Sequence, residues 1–266
     1  DPFDIFSKLF LGAFDNSSWP AGTNLPNIYV GSLGIMGTIY YFISSTIQWR
    51  EKVASFFVLA IFILSCVHEF TSKLWHMGQN PAGFFYRFSW IMAFFLVYLA
   101  YLALREVEQL HWKPSIVIAG GTLVLFAIVV TRQYSFLIVP QKIATLALIF
   151  VMLSILVCPQ INKRWAFLAA VTAIELMMNA TIVQSRVGYT DAYKYQDSVK
   201  QLQTAVAPIR PNDKEFYRIH GSFHLSKNDP FMVDYPGMSV FSSNLENSTR
   251  DLFEQLGNTG INATTY

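Results

Sequence analysis

The chain has 266 residues, 53% of them hydrophobic and 14% charged, with a formal net charge of +2. Soluble domains carry about 25% charged residues, so this composition belongs in lipid rather than water. The 23 phenylalanines exclude a disordered chain. The near-neutral charge excludes nucleic acid as a partner, and two cysteines exclude a disulfide scaffold or a four-cysteine zinc site. The sequence opens at Asp1, not Met, and reads as part of a longer chain.

A membrane span needs roughly 20 mostly apolar residues. Six stretches approach that: Ile28–Ile47, Val53–Val67, Phe84–Leu104, Ser115–Thr131, Ile143–Val157 and Trp165–Val183. Their apolar residues run all round the helix, which favours spans over surface helices. The second and fifth are short, and Phe136–Pro140 before the fifth suits a re-entrant piece. Short connections holding Arg50 and Lys52, Arg105 and Lys113, and Lys163 and Arg164 put those ends in the cytoplasm. Residues 1–183 thus form a transmembrane portion with six spans, a multi-pass protein of the cell membrane with both chain ends extracytoplasmic.

Residues 184–266 hold eight Lys/Arg and nine Asp/Glu, with no apolar run long enough to span. This is an extracytoplasmic soluble region. Asp191–Ala205 and Asn247–Leu256 suit helices, and Phe216–Leu225 suits strands, giving a small α/β tail. The fold class is therefore mainly α: a polytopic helical membrane protein with that tail. Cys66 and Cys158 fall near opposite membrane faces and cannot pair.

Familiar catalytic signatures fail. His68-Glu69-Phe70-Thr71-Ser72 lacks the second histidine of a zinc-protease helix, and there is no P-loop and no G-x-S-x-G elbow. His220 and His224 share a strand face but sit too far apart for one metal. Gly31, Gly34 and Gly37, and Gly120 with Gly121, read as close helix packing through small residues.

Two polar foci stand out. Glu175 lies near the centre of the last span, with Asn179 one turn later on the same face. A carboxylate there is expensive. It either bonds a neighbouring helix or forms a polar wall of a substrate cavity. The second focus runs from Trp75-His76 through Gln79-Asn80-Pro81 to Phe84-Phe85-Tyr86-Arg87-Phe88-Ser89. Amides suit sugar hydroxyls, rings suit sugar C–H faces, and the planar fork of Arg87 suits a phosphate. The plainer reading is an interfacial aromatic belt with a snorkelling Arg. A third aromatic and amide stretch, Trp19-Pro20 and Leu25–Gly31, enters the first span, with Asp15 and Asn16 upstream.

In order, these motifs resemble the bacterial YfhO-type membrane proteins. The resemblance rests on Leu25-Pro26-Asn27-Ile28-Tyr29-Val30-Gly31, the two foci, Phe216-Tyr217-Arg218-Ile219, Asn228-Asp229-Pro230, and Tyr235-Pro236-Gly237-Met238-Ser239 with Phe241-Ser242-Ser243. It covers nearly the whole chain. It implies a glycosyltransferase of the GT-C type. Such enzymes take a sugar from a polyprenyl-phosphate donor to an extracytoplasmic cell-envelope glycopolymer of teichoic-acid type. It also implies about twice as many spans in the full protein, and a catalytic Asp in a first outer loop before residue 1. That role does not transfer to Asp15.

The sequence reading is therefore a membrane glycosyltransferase. Arg87, assisted by His76, contacts the donor phosphate, and Gln79, Asn80 and Tyr86 contact sugar or acceptor. Glu175 and Asn179 line the cavity. The leaving phosphate calls for Arg or a divalent metal, and no cofactor is assigned. Two rivals stand beside it: a secondary transporter with Glu175 as coupling carboxylate, and a non-catalytic membrane scaffold.

Overall fold

The computed structural model describes residues 2–14, 25–79, 85–105, 107, 109–158, 160–161, 163–209, 216–221, 225–226, 228–238, 247–257, 260–261 and 264–265. It is mainly helical and divides into two compact units, Asp1–Val187 and Gly188–Tyr266.

The first unit opens with a 3-10 helix, Pro2–Leu9. Six apolar helices follow: α1 (Gly31–Ile43), α2 (Trp49–Val67), α4 (Ser89–Leu104), α5 (Trp112–Val130), α6 (Val139–Val157) and α7 (Arg164–Arg186). The short α3 (Glu69–Leu74) joins α2 to the loop before α4. Three of these, α5, α6 and α7, are long and apolar enough to cross a bilayer. The expectation of six spans is thus met in full by only three helices. α2 opens on Arg50, Glu51 and Lys52, and α1 and α4 have 13 and 16 residues.

The first expected span is corrected most. Its helix begins at Gly31, not Ile28, and covers 13 residues, about 20 Å against a hydrocarbon core of about 30 Å. Gly31 has φ +73°, a left-handed turn that ends the extended segment before it. That segment and the 3-10 helix are themselves buried: Ile5, Ser7, Lys8, Leu11 and Ile28 are each at most 3% exposed. The fifth span is longer than expected, because α6 begins at Val139. Pro140 suits its first turn, and the Gln141 side chain accepts the Ile138 N–H.

α1 is the hub, packing on α4 along its length and also meeting α5, α6 and α7. Gly37 is the closest approach. A Cβ there would lie 2.6 Å from Ala100 Cβ and 2.9 Å from its Cα. One helix turn is therefore sealed by the absence of a side chain. The Thr38 hydroxyl donates to the Leu96 carbonyl across the same interface (3.0 Å). Gly120 is a correction: nothing lies within 4 Å of a Cβ built there, so it is not a packing glycine.

The second unit is small. α8 (Ala192–Val206) is capped by Asp191, whose carboxylate accepts the Tyr193 and Lys194 amides. Leu202 and Val206 pack against Val233 of α9 (Asp229–Val233), with Ile219, Leu225 and Tyr235 around them. α10 (Asn247–Gln255) follows. Strand among the described residues is confined to two two-residue strands, β1 (Gly260–Ile261) and β2 (Thr264–Thr265); of the strands expected over Phe216–Leu225, residues 222–224 lie outside the described residues, and the others form a single bridge, Ile219 with Gly237. The Asp229 carboxylate ties the Leu225 and Ser226 amides into a turn (2.7 Å for Leu225). The described residues of the tail are mainly helical, with that one short strand pair. Both cysteines are free thiols.

The glycines give a direct test of the hub. Gly37→Leu should cost about 1–3 kcal/mol through overpacking against α4. Gly120→Ala should be neutral or slightly stabilising. Equilibrium unfolding in detergent micelles measures both, and equal losses would deny the α1–α4 contact.

Candidate functional site

Glu175 is fully buried, at 0% exposure, eleven residues from either end of α7. Its Oε1 accepts three hydrogen bonds at 2.8 Å, from the Tyr29 hydroxyl, the Ser32 amide and the Ser32 hydroxyl. Ser32 is in the first turn of α1. The carboxylate at the midpoint of α7 therefore meets the start of α1. A helix beginning there exposes unsatisfied amides with a positive end, and a carboxylate is the complementary group. Among the described residues Oε2 has no hydrogen-bond partner; it faces Gly31, where a Cβ would lie 3.6 Å away.

One turn along α7, Asn179 acts in the same manner. Its Oδ1 accepts the Gly12 amide at 2.8 Å. Gly12 has φ +66°, and a Cβ there would collide with Gln141 and Ile182 at 2.3 and 2.5 Å. Its carbonyl accepts from Arg186 (2.7 Å) and Gln141 (3.4 Å). Arg186 also donates to the carbonyls of Phe14 and Phe136. Thr145 of α6 accepts the Leu11 amide at 2.9 Å.

Two nearly buried lysines complete this network. Lys8 donates to the Ala13 carbonyl and lies over the Phe136 ring, 4.1 Å from its centre. Lys142 donates to the carbonyls of Val129 and Arg132, each at 3.0 Å. Asp4 takes both Arg132 and the Tyr134 hydroxyl at 2.8 Å. Burial and the bond to Asp4 push the Tyr134 phenol up to about 12, so it stays a donor. Sequence reasoning missed Gly12, Gln141, Lys142 and Arg186. The signal available was Gln141-Lys142 beside Pro140, two polar side chains leading an apolar helix.

The segment between α3 and α4 is built on Trp75. Its ring stacks between Phe62 (5.6 Å) and Phe88 (5.0 Å), both 18° from parallel, and its indole N–H donates to Ser65. This fixes the loop to α2 and α4. Met77 and Gly78 turn the chain with positive φ. His76 is half-buried, its Nε2 without a hydrogen-bond partner among the described residues, and Gln79 is exposed. Tyr86 also has positive φ and packs its edge on Phe88. Arg87 is exposed two residues before α4. Asn80 lies outside the described residues, as do Asp15, Trp19, Pro20 and His224. Glu175 and Asn179 belong to the interior around α1, and His76, Gln79, Tyr86 and Arg87 belong to this loop. Among the described residues no three His, Cys, Asp or Glu side chains gather as a metal site.

Buried carboxylate, shortened α1 and lipid-length apolar helices define an α-helical membrane protein. The chain belongs to the family of the bacterial membrane protein YfhO, whose family model matches residues 1–266. No curated protein and no solved structure matches it.

Removing the Glu175 acceptor leaves three donors unsatisfied. Glu175→Gln should be mild, because its amide oxygen still accepts. Glu175→Leu should cost about 1–2 kcal/mol, the range for intramembrane polar bonds. Unfolding of the two variants in detergent checks this, and equal effects would mean that charge rather than hydrogen bonding holds α1.

Proposed function

We propose that this chain is part of a membrane glycosyltransferase. It would transfer a sugar from a polyprenyl-phosphate donor to an extracytoplasmic cell-envelope polymer of teichoic-acid type. Membership of the family supports the membrane setting, and the family resemblance supplies the reaction class. The observation behind the reading is the aromatic clamp on Trp75 in the segment before α4, the stretch of sequence that also carries His76, Gln79 and an exposed Arg87.

The chemistry follows from that placement. A lipid-linked donor keeps its chain in the bilayer and its phosphate at the surface. A guanidinium there can bind two phosphate oxygens at once and stabilise the charge that builds on the leaving group. Gln79 and Asn80 would hold sugar or acceptor hydroxyls, and Tyr86 would supply a ring face. Glu175 and Asn179 would act one step back, fixing the walls of the bundle. The transporter alternative needs a carboxylate that meets water, whereas Glu175 is enclosed with one oxygen taken by three donors. Six spans, with the tail outside, accompany this reading.

Two measurements test it. Reporter fusions after Trp49 and Trp112 should read cytoplasmic, and one after Val187 external; a cytoplasmic result at Val187 would invert the arrangement. In the complete protein Arg87→Lys should lower sugar transfer at least tenfold, about 1.4 kcal/mol of transition-state stabilisation, with normal membrane levels. Near-normal transfer by the Lys variant would make Arg87 an interface anchor, since a snorkelling cation needs only charge and reach.

A further inference from the structure

Beneath the 3-10 helix lies a cavity of about 200 Å³. Ile5 and Leu9 of that helix roof it, and Ile35 of α1, Leu59 of α2, Met92 of α4 and Leu125 of α5 wall it. The single polar side chain in the lining is Thr38, and its hydroxyl already donates to the Leu96 carbonyl. Nothing in the lining side chains asks for a polar ligand atom.

Three arguments identify the occupant. First, water does not fill an apolar cavity of this kind, because it would forgo its own hydrogen bonds. Second, the volume is below the roughly 300 Å³ at which sites for whole small molecules begin, and it suits a length of chain. Third, the cavity is not sealed but opens partly to the surface of the bundle. Leu59 and Ile63 line it from α2, while Phe56, Phe57, Ile61 and Leu64 of the same helix are 50–61% exposed. α2 leans on α4 and the 3-10 helix only lightly, whereas α1 and α4 pack along their length. The bilayer therefore has access along α2.

We propose that this cavity seats one acyl chain of a bilayer phospholipid, which braces the 3-10 helix against α1, α2, α4 and α5. The lining recognises no branch or polar group, so it takes the hydrocarbon present at highest concentration, which is the phospholipid of the bilayer. The site is independent of the glycosyl-transfer reading and stands or falls separately.

The test uses the chain in nanodiscs containing a trace of phosphatidylglycerol with a photoactivatable diazirine in its acyl chain. Cross-links mapped by peptide mass spectrometry should concentrate at Ile5, Leu59 and Met92. Leu59→Trp, which fills the cavity, should lower that labelling at least tenfold. Phe57→Trp, on the lipid-facing side of α2, should leave it unchanged. If Leu59→Trp aggregates on size exclusion, Leu125→Phe makes the same test from the opposite wall. Labelling spread evenly over the exposed faces of α2 and α5 would overturn the seat. Loss of labelling on adding an equal amount of polyprenyl phosphate would overturn the choice of acyl chain.

Discussion

The bond between Glu175 and the first turn of α1 is the constraint on which the membrane unit depends. A carboxylate at the centre of a membrane helix is costly by itself. So is a helix that starts inside the bundle with its first amides open. Each defect answers the other: Oε1 takes the Ser32 amide and hydroxyl and the Tyr29 hydroxyl, and its charge sits at the positive end of α1. Of the 23 residues of α7, only Leu168 and Glu175 are buried, so this bond, with those of Asn179 and Arg186, attaches a helix that is otherwise largely exposed. α1 in turn supports α4, α5 and α6. Losing the bond loosens the hub from both sides.

α1 covers only about two thirds of a span's length, and the backbone packed beside it is irregular. Irregular backbone is tolerated at such depth only where protein satisfies its carbonyls and amides. Cations and amides do that here. Lys8, Lys142 and Arg186 donate to the carbonyls of Ala13, Val129, Arg132, Gly12, Phe14 and Phe136, and Asn179 and Thr145 accept the amides of Gly12 and Leu11. The charged side chains at this end act as hydrogen-bond caps for loops, which explains why two lysines can be 3% exposed.

Much of this was legible in the sequence, for physical reasons that also explain the failures. The apolar segments appear because their length and uniformity have no soluble counterpart, and α5 and α7 lie close to where hydropathy puts them. Glu175 and Asn179 appear as polar exceptions on one helical face. Asp191 announces α8 because a side-chain cap leaves a local signature. The short α1 was not legible. In a segment apolar on every side, periodicity cannot separate helix from extended chain, and only Gly31 marks the break. The buried N-terminal segment was hidden for a related reason: Lys8, Gln141 and Lys142 look like surface residues until the carbonyls they cap are known. The turn that Asp229 fixes at Leu225 and Ser226 was not legible either, because such a contact has no alternating pattern to reveal it.

The two polar foci differ in what their side chains have left to offer. Around α1, one oxygen of Glu175, the Asn179 oxygen and both ends of the Gln141 amide are engaged by partners within the bundle. Substrate binding there would compete with bonds that hold the fold. In the loop before α4 the fold is held by rings: Trp75 between Phe62 and Phe88, and Tyr86 against Phe88. Trp75 itself also donates its indole N–H to Ser65, and among the described residues His76 Nε2 has no partner. The interior node is thus spent on holding irregular backbone in place, whereas the segment before α4 is held chiefly by stacked rings.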